Sequence, residues 1–297
     1  MTAYLIAMAT QAGIFALLAL ALNLQWGYTG LLNFGVVGFF ALGAYAYALV
    51  TTALGGPALL GILAAIVVGA VAAWPIGLAS IRLRVDFYLA IATLGFGEVV
   101  RAVIVNETWA TRGTQGMAVE MFFPGLGVEA NRILMLGIVL AAIALLYFAF
   151  QRLGRSPFGR TIEAIRDNED AARSLGKPVA GFKIQVFVIG SAVTAAAGAL
   201  NAVFVNYLVP EQFLPIVSFY VWIALIIGGS GSNKGVILGS VILVLFLEGS
   251  RFLKDLLPAD TGLTDDKIAA LRFMAIGLAL VVVPIWRPQG LWGRKEL

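Results

Sequence analysis

The first 81 residues contain no Asp, Glu, Lys or Arg. A run of that length cannot form the surface of a water-soluble domain, in which roughly a quarter of residues are charged. Its solvent is hydrocarbon, about 30 Å thick, which a helix crosses with about 20 apolar residues. Such stretches recur to the end of the chain, and hydrophobic residues fill 61% of the 297 positions. The sequence therefore predicts one all-α, polytopic transmembrane domain spanning residues 1–297.

The apolar stretches run near 3–24, 35–54, 57–80, 87–106, 133–151, 184–207, 214–228, 235–253 and 269–286, about nine spans. The first has no basic residues before it and no break before the next apolar segment, so it is expected to stay as a helix. Basic residues mark alternate connections: Arg82 and Arg84, the segment 152–183, Lys234, and the tail with Arg287, Arg294 and Lys295. The excess of Lys and Arg makes these the cytoplasmic side. The opposite connections, near 107–131 and 254–268, carry Glu107, Glu120, Glu129, Asp255, Asp260, Asp265 and Asp266 and belong outside. Counting crossings puts the N-terminus outside, unless the segment 25–33 turns back within the membrane.

That segment, with Gly27, Gly30 and Gly35 among Asn23, Gln25 and Asn33, reads as a broken helix. Irregular backbone survives at membrane depth only where protein or a water-filled cavity surrounds it. Broken helices line substrate paths in transporters, but glycines also permit close helix packing, and both readings stay open here.

Residue types exclude much chemistry. Zero cysteines remove disulfides and thiolates, and zero histidines remove the commonest metal ligand and general base. The turn Gly228-Gly229-Ser230-Gly231-Ser232-Asn233-Lys234-Gly235 is glycine-rich. A phosphate-binding P-loop ends in Gly-Lys-Ser/Thr, and Lys234 lies between Asn233 and Gly235. Ser230 lacks a histidine to take its proton, so an intramembrane serine protease is excluded as well. Glu98 with Arg101, and Glu248 with Arg251, share helix faces at i,i+3 and are expected to pair.

The segment 152–183 is a polar island, with seven basic and four acidic residues. On a helical wheel from Ile162, Glu163, Arg166, Asp167, Asp170 and Arg173 share an arc. Ala164, Ile165, Ala171, Ala172 and Leu175 gather opposite, with Glu169 on the border. This predicts one short amphipathic helix outside the membrane. Its small apolar residues and mixed-sign polar face suit a groove on another protein better than a lipid surface, which favours bulkier residues and a basic face.

Asp170-Ala171-Ala172, three residues and then Gly176 resembles the Glu-Ala-Ala-x-x-x-Gly coupling loop of ABC importer permeases. The longer run from Gly159-Arg160 through Ala164-Ile165-Arg166-Asp167-Asn168-Glu169, then Leu175-Gly176 and Lys183, is similar to the LivM-like branched-chain amino acid permeases. Gly27-Tyr28-Thr29-Gly30 with Phe39-Phe40 and Gly43-Ala44-Tyr45 resembles the early signature of that family. The stretch from Tyr88 through Thr93-Leu94, Phe96, Glu98 and Arg101 resembles its middle helix, and the glycine-rich turn its late one. The chain departs from the family pattern at Leu31, Asn33, Val36 and Arg112.

The resemblance implies an importer permease working by alternating access in a prokaryotic inner membrane. Its implied partners are a second related permease, two cytoplasmic ATPase subunits and a periplasmic solute-binding protein, with lipid around it and no nucleic acid. No cofactor is expected on this chain, and ATP and Mg are expected on the ATPases. Coupling falls to Glu163, Arg166, Glu169, Asp170, Ala171, Ala172 and Gly176. The polar and aromatic residues Asn33, Phe39, Tyr45 and Thr93 are the expected lining of the substrate pathway. Branched-chain or similar amino acids are the implied solute, with urea or short amides as the alternative, and an ion-coupled secondary transporter as the other class.

Overall fold

The computed structural model describes residues 2–82, 86–123 and 125–249, and between 270 and 293 a set of short pieces. In chain order the helices are α1 (Thr2–Leu22), α2 (Val36–Ala48), α3 (Ala58–Arg82), α4 (Asp86–Asn106) and the single turn α5 (Thr108–Thr111). Then follow α6 (Val128–Arg155), α7 (Pro157–Asp167), α8 (Glu169–Ser174), α9 (Val179–Val205), α10 (Ile216–Gly228) and α11 (Asn233–Gly249). Two-residue strands β1 (Met117–Ala118) and β2 (Tyr207–Leu208) pair antiparallel across two connections. The protein is an all-α polytopic membrane protein.

Six runs among the described residues are long and apolar enough to cross a membrane: Thr2–Gly27, Val36–Ala53, Ala58–Ala79, Phe87–Asn106, Val128–Arg155 and Val179–Val205. The stretch expected at 214–228 forms a shorter helix, α10 of 13 residues, and of the stretch expected at 235–253 the described part, to Gly249, belongs to α11. At 1.5 Å per residue α10 is about 20 Å long, less than the hydrocarbon thickness. The ninth stretch, 269–286, is described only in helical pieces of two residues, and Arg84, Arg251, Asp255, Asp260, Asp265, Asp266, Arg294 and Lys295 lie outside the described residues.

The long helices pack by close backbone approach. In lipid, apolar side chains gain nothing by leaving their surroundings, so association relies on contact and small residues. At the α2–α9 crossing, a Cβ on Gly43 would lie 1.9 Å from the Ala195 carbonyl oxygen, and one on Gly198 would lie 2.1 Å from that of Phe40. α9 is thereby the central helix, packed on α2, α3 and α1, with Val186, Phe187 and Ala195 fully buried.

Chain direction follows from what each end touches. Ala3, Tyr4 and Ile6 of α1 share a cavity wall with Met121, Phe122 and Val128 of the acidic connection. At the other end of the same helical run, the Gly27 carbonyl meets Arg166 of the island. The first helix therefore crosses completely, and Thr2 lies on the face opposite the island. In the cysteine-free chain, single cysteines at Thr2 and Glu120 should react with an impermeant thiol reagent on intact spheroplasts. One at Ser174 should stay protected until the cells are opened, and the opposite pattern would invert the topology.

Candidate functional site

The island is built by local signals. Ser156 ends α6 and starts α7: its hydroxyl accepts the Gly159 amide at 3.2 Å, and Pro157 takes the first helical position. α7 stops at Asn168, whose backbone is extended (φ −157°, ψ 101°) and whose Oδ1 caps α8 by accepting the Ala171 amide at 2.9 Å. α8 closes on Gly176 at φ 75°. There the Gly176 amide returns to the Arg173 carbonyl at 3.0 Å and the Lys177 amide to that of Ala172 at 3.2 Å. That paired closure needs a left-handed residue, which explains the glycine of the motif.

The single amphipathic helix expected across 162–175 is thus two helices. Asn prefers the cap to the helix interior, and the break divides the apolar face. Ile165 and Ala172 are buried with Val179 and packed on Phe182 of α9, so they hold the island to its own membrane domain. Ala164, Ala171 and Leu175 remain exposed, Leu175 at 80%. They are the island's exposed apolar strip, left uncovered by the membrane domain.

The charged residues divide likewise. Glu169 lies at the helix border because it reaches Lys183 of α9 at 2.5 Å while also accepting from Arg173 at 2.7 Å. Asp170 is almost fully exposed beside Arg173, and Glu163 is half-buried. Arg166 turns toward the membrane: it binds Asp167 through Nε at 3.0 Å and Nη2 at 2.9 Å, and its Nη1 donates to the Gly27 carbonyl at 2.7 Å.

Gly27 belongs to the broken segment. α1 continues as a π-helical turn, Asn23–Gly27, the chain reverses at Gly30 (φ 77°), and an irregular stretch leads back to α2. The buried polar side chains here, Asn23, Gln25, Thr29 and Asn33, find partners inside the protein, as a non-aqueous setting demands. Asn23 donates to Asn233 at 2.9 Å and accepts the Gly231 amide at 2.8 Å. Gln25 donates to the Phe187 carbonyl at 3.0 Å and to the Ser191 hydroxyl at 3.3 Å, and accepts from Asn33 at 2.9 Å. The start of α2 is satisfied by side chains from three sources. Phe34, Gly35 and Val37 amides donate to Thr93 (3.0 Å), Asn33 (2.8 Å) and Ser218 (3.0 Å). Trp222 of α10 stacks on Phe34 with centroids 4.8 Å apart and donates to the Asn33 carbonyl at 3.0 Å.

Of the four expected pathway residues, Asn33 and Thr93 therefore meet around Phe34 as fasteners of this segment. Phe39 is packed between Phe96 and Phe187. Tyr45 packs on Phe213 nearer the opposite face, its hydroxyl buried without a hydrogen-bond partner among the described residues. All four are buried in the subunit. None borders the cavity of about 410 Å³ that opens between α1, α6 and α9, walled by Tyr4, Thr10, Phe122, Asn131, Arg132 and Asn206. Gln25, Ser218 and Trp222 complete the lock and were not singled out as site residues from sequence. Gln25 carried a signal, a polar residue in an apolar run, whereas Ser218 and Trp222 carried none.

Both membrane carboxylates are engaged. Glu98 pairs with Arg101 at 2.8 Å, and Glu248 accepts from the Tyr4 hydroxyl at 3.1 Å. Among the described residues no group of three or more His, Cys, Asp or Glu is placed to hold a metal.

The island is thus held to α9 through Glu169 and Ile165 and bonded through Arg166 to the end of the first membrane helix. The family model described as branched-chain amino acid transport system / permease component matches residues 4–283. The chain belongs to this permease family. It is 34% identical over 307 residues to the high-affinity branched-chain amino acid transport system permease protein LivM of Salmonella typhimurium (strain LT2), covering 95% of this chain and 68% of that protein. Identity to the LivM of Escherichia coli (strain K12) is 33% with the same coverage. A probable LivM of Methanocaldococcus jannaschii is 25% identical over 96% of this chain and 92% of that protein. No solved structure matches the chain. This permease is a multi-pass protein of a prokaryotic inner membrane and a transport subunit.

Proposed function

We propose that this chain is one of two permeases in an ATP-driven importer that carries branched-chain or closely similar amino acids inward. The observation that carries the reading is the island: an exposed apolar strip, Ala164, Ala171 and Leu175, on a helix pair clamped to α9. Of the two ATPase subunits one docks there, with Asp170, Ala171 and Gly176 facing it and Glu169 and Ala172 holding the island in place. Hydrolysis resides on those subunits, with their ATP and Mg, since the glycine-rich turn lacks the Gly-Lys-Ser/Thr ending. A periplasmic binding protein delivers the solute and supplies most of its selectivity.

ATP closes the ATPase pair, the docked islands follow, and the two permeases open the path to one side at a time. The path forms where α4 meets the second permease, with α2 packed behind it. Asn33, Phe39, Tyr45 and Thr93 set the position of its wall from behind. Open space beside Gly95 and exposed Ile91, Val99 and Ala102 leave α4 free for that contact.

The test is uptake into proteoliposomes holding the assembled importer and its binding protein. Labelled leucine should accumulate only with ATP on the ATPase side, be blocked by vanadate, and be competed by isoleucine and valine. Uptake driven by an ion gradient without ATP, or uptake of urea without leucine competition, would overturn the reading.

A further inference from the structure

We propose that Arg166 is a strut through which the island moves the broken segment 23–35, so that this segment is the inner gate of the permease. The inference rests on the coupling role proposed above and goes on to name the element that moves and the side chain that moves it.

The helical run Thr2–Gly27 is 26 residues long and ends facing the island. Helix ends leave carbonyls without partners and carry partial negative charge. Here the reversal at Gly30 returns the Gly30 amide to the Trp26 carbonyl at 2.9 Å and the Leu31 amide to that of Gln25 at 2.8 Å. The Gly27 carbonyl lies beyond those closures and takes its hydrogen from the Arg166 guanidinium instead, 139 residues along the chain. A charged donor on a helix C-terminus is among the stronger single contacts available. The Arg166 stem also runs across the reversal, since a Cβ on Gly30 would sit 3.3 Å from its Cγ.

Three features make this a strut rather than a chance contact. The guanidinium is held in register by Asp167, and its planar fork fixes direction as an ammonium would not. Its root is on α7, whose Ile162 and Ile165 are buried, so the arm moves with the island. Its target is a π-helical turn, a register fault found frequently at functional sites. From that turn Asn23 reaches the glycine-rich turn before α11 and Gln25 reaches α9, while further along the segment the Asn33 carbonyl accepts from Trp222 of α10. A displacement at Gly27 is therefore passed to three helices at once.

The test uses the assembled complex with a single cysteine at Leu32, a half-buried position in the segment. In the parent, labelling of that cysteine should change between the nucleotide-free and vanadate-trapped states. In Arg166→Met the ATPases should co-purify as in the parent and hydrolyse ATP at a similar rate. ATP consumed per solute imported should rise by roughly tenfold or more, the scale of one lost charge-assisted hydrogen bond, and the labelling change should vanish. Arg166→Lys, which keeps a donor, should recover part of both. Normal coupling in Arg166→Met overturns the strut, as does loss of the bound ATPases, which would make Arg166 a docking residue. A parent whose Leu32 cysteine labels identically in both states overturns the gate. A parent that imports without ATP contradicts the underlying coupling role instead, before any variant is compared.

Discussion

A Gly43→Leu chain is expected to be almost absent from the membrane as folded protein. Its Cβ would start 1.9 Å from a backbone oxygen of α9, and backbone in a packed helix cannot rotate aside as a side chain can. The two helices must separate, and the contact that buries Phe39, Phe40, Ala44 and Ala195 is lost along its length. Overpacking costs about 1–3 kcal/mol even where side chains can adjust, and here they cannot. Gly137→Leu introduces the same side chain in a long membrane helix where nothing lies within 4 Å, and should accumulate normally. Size-exclusion profiles and thermal unfolding of the two solubilised variants make the comparison. Equal yield and equal unfolding temperature would show that the α2–α9 contact is not the centre of the fold.

Helix positions were legible where length and hydropathy alone decide them. The stretch read at 35–54 is observed as Val36–Ala53, and that at 87–106 as Phe87–Asn106. The pairing of Glu98 with Arg101 was legible too, since i,i+3 spacing is a local property. The break at Asn168 was not, because a helical wheel presumes an unbroken helix and does not weigh a residue's preference for capping. Both continuous and broken arrangements place Glu169 beside Arg173, so that pair carried no warning.

The roles of Asn33 and Arg166 lie further out of reach. A polar residue in an apolar stretch announces that it needs a partner, and a solute and another helix satisfy that need equally well. Asn33 finds its partners in Gln25 and, 189 residues away, Trp222. The resemblance places Arg166 among the coupling residues, whereas its guanidinium finds a helix end brought near by the fold. Position on a wheel reports the face from which a side chain leaves, and a long side chain need not stay there.

The central claim is that ATPases act on this permease through the outward strip of the island, and Ala171→Arg tests it most directly. Ala171 is exposed on α8, so the arginine fits the isolated chain without strain and should leave insertion and yield unchanged. In a docked complex it would bury an unpaired charge, which costs about 3–5 kcal/mol, or roughly a hundredfold or more in affinity at 1.4 kcal/mol per tenfold. Asp167→Asn, which keeps an oxygen for Arg166 to bind, serves as the comparison. The measurement is the quantity of ATPase retained on the purified permease, taken together with ATP-dependent uptake by the same preparation. The expected result is full ATPase retention for Asp167→Asn, with loss of both retention and uptake for Ala171→Arg. Normal retention and uptake with Arg at position 171 would contradict the docking face and the coupling built on it.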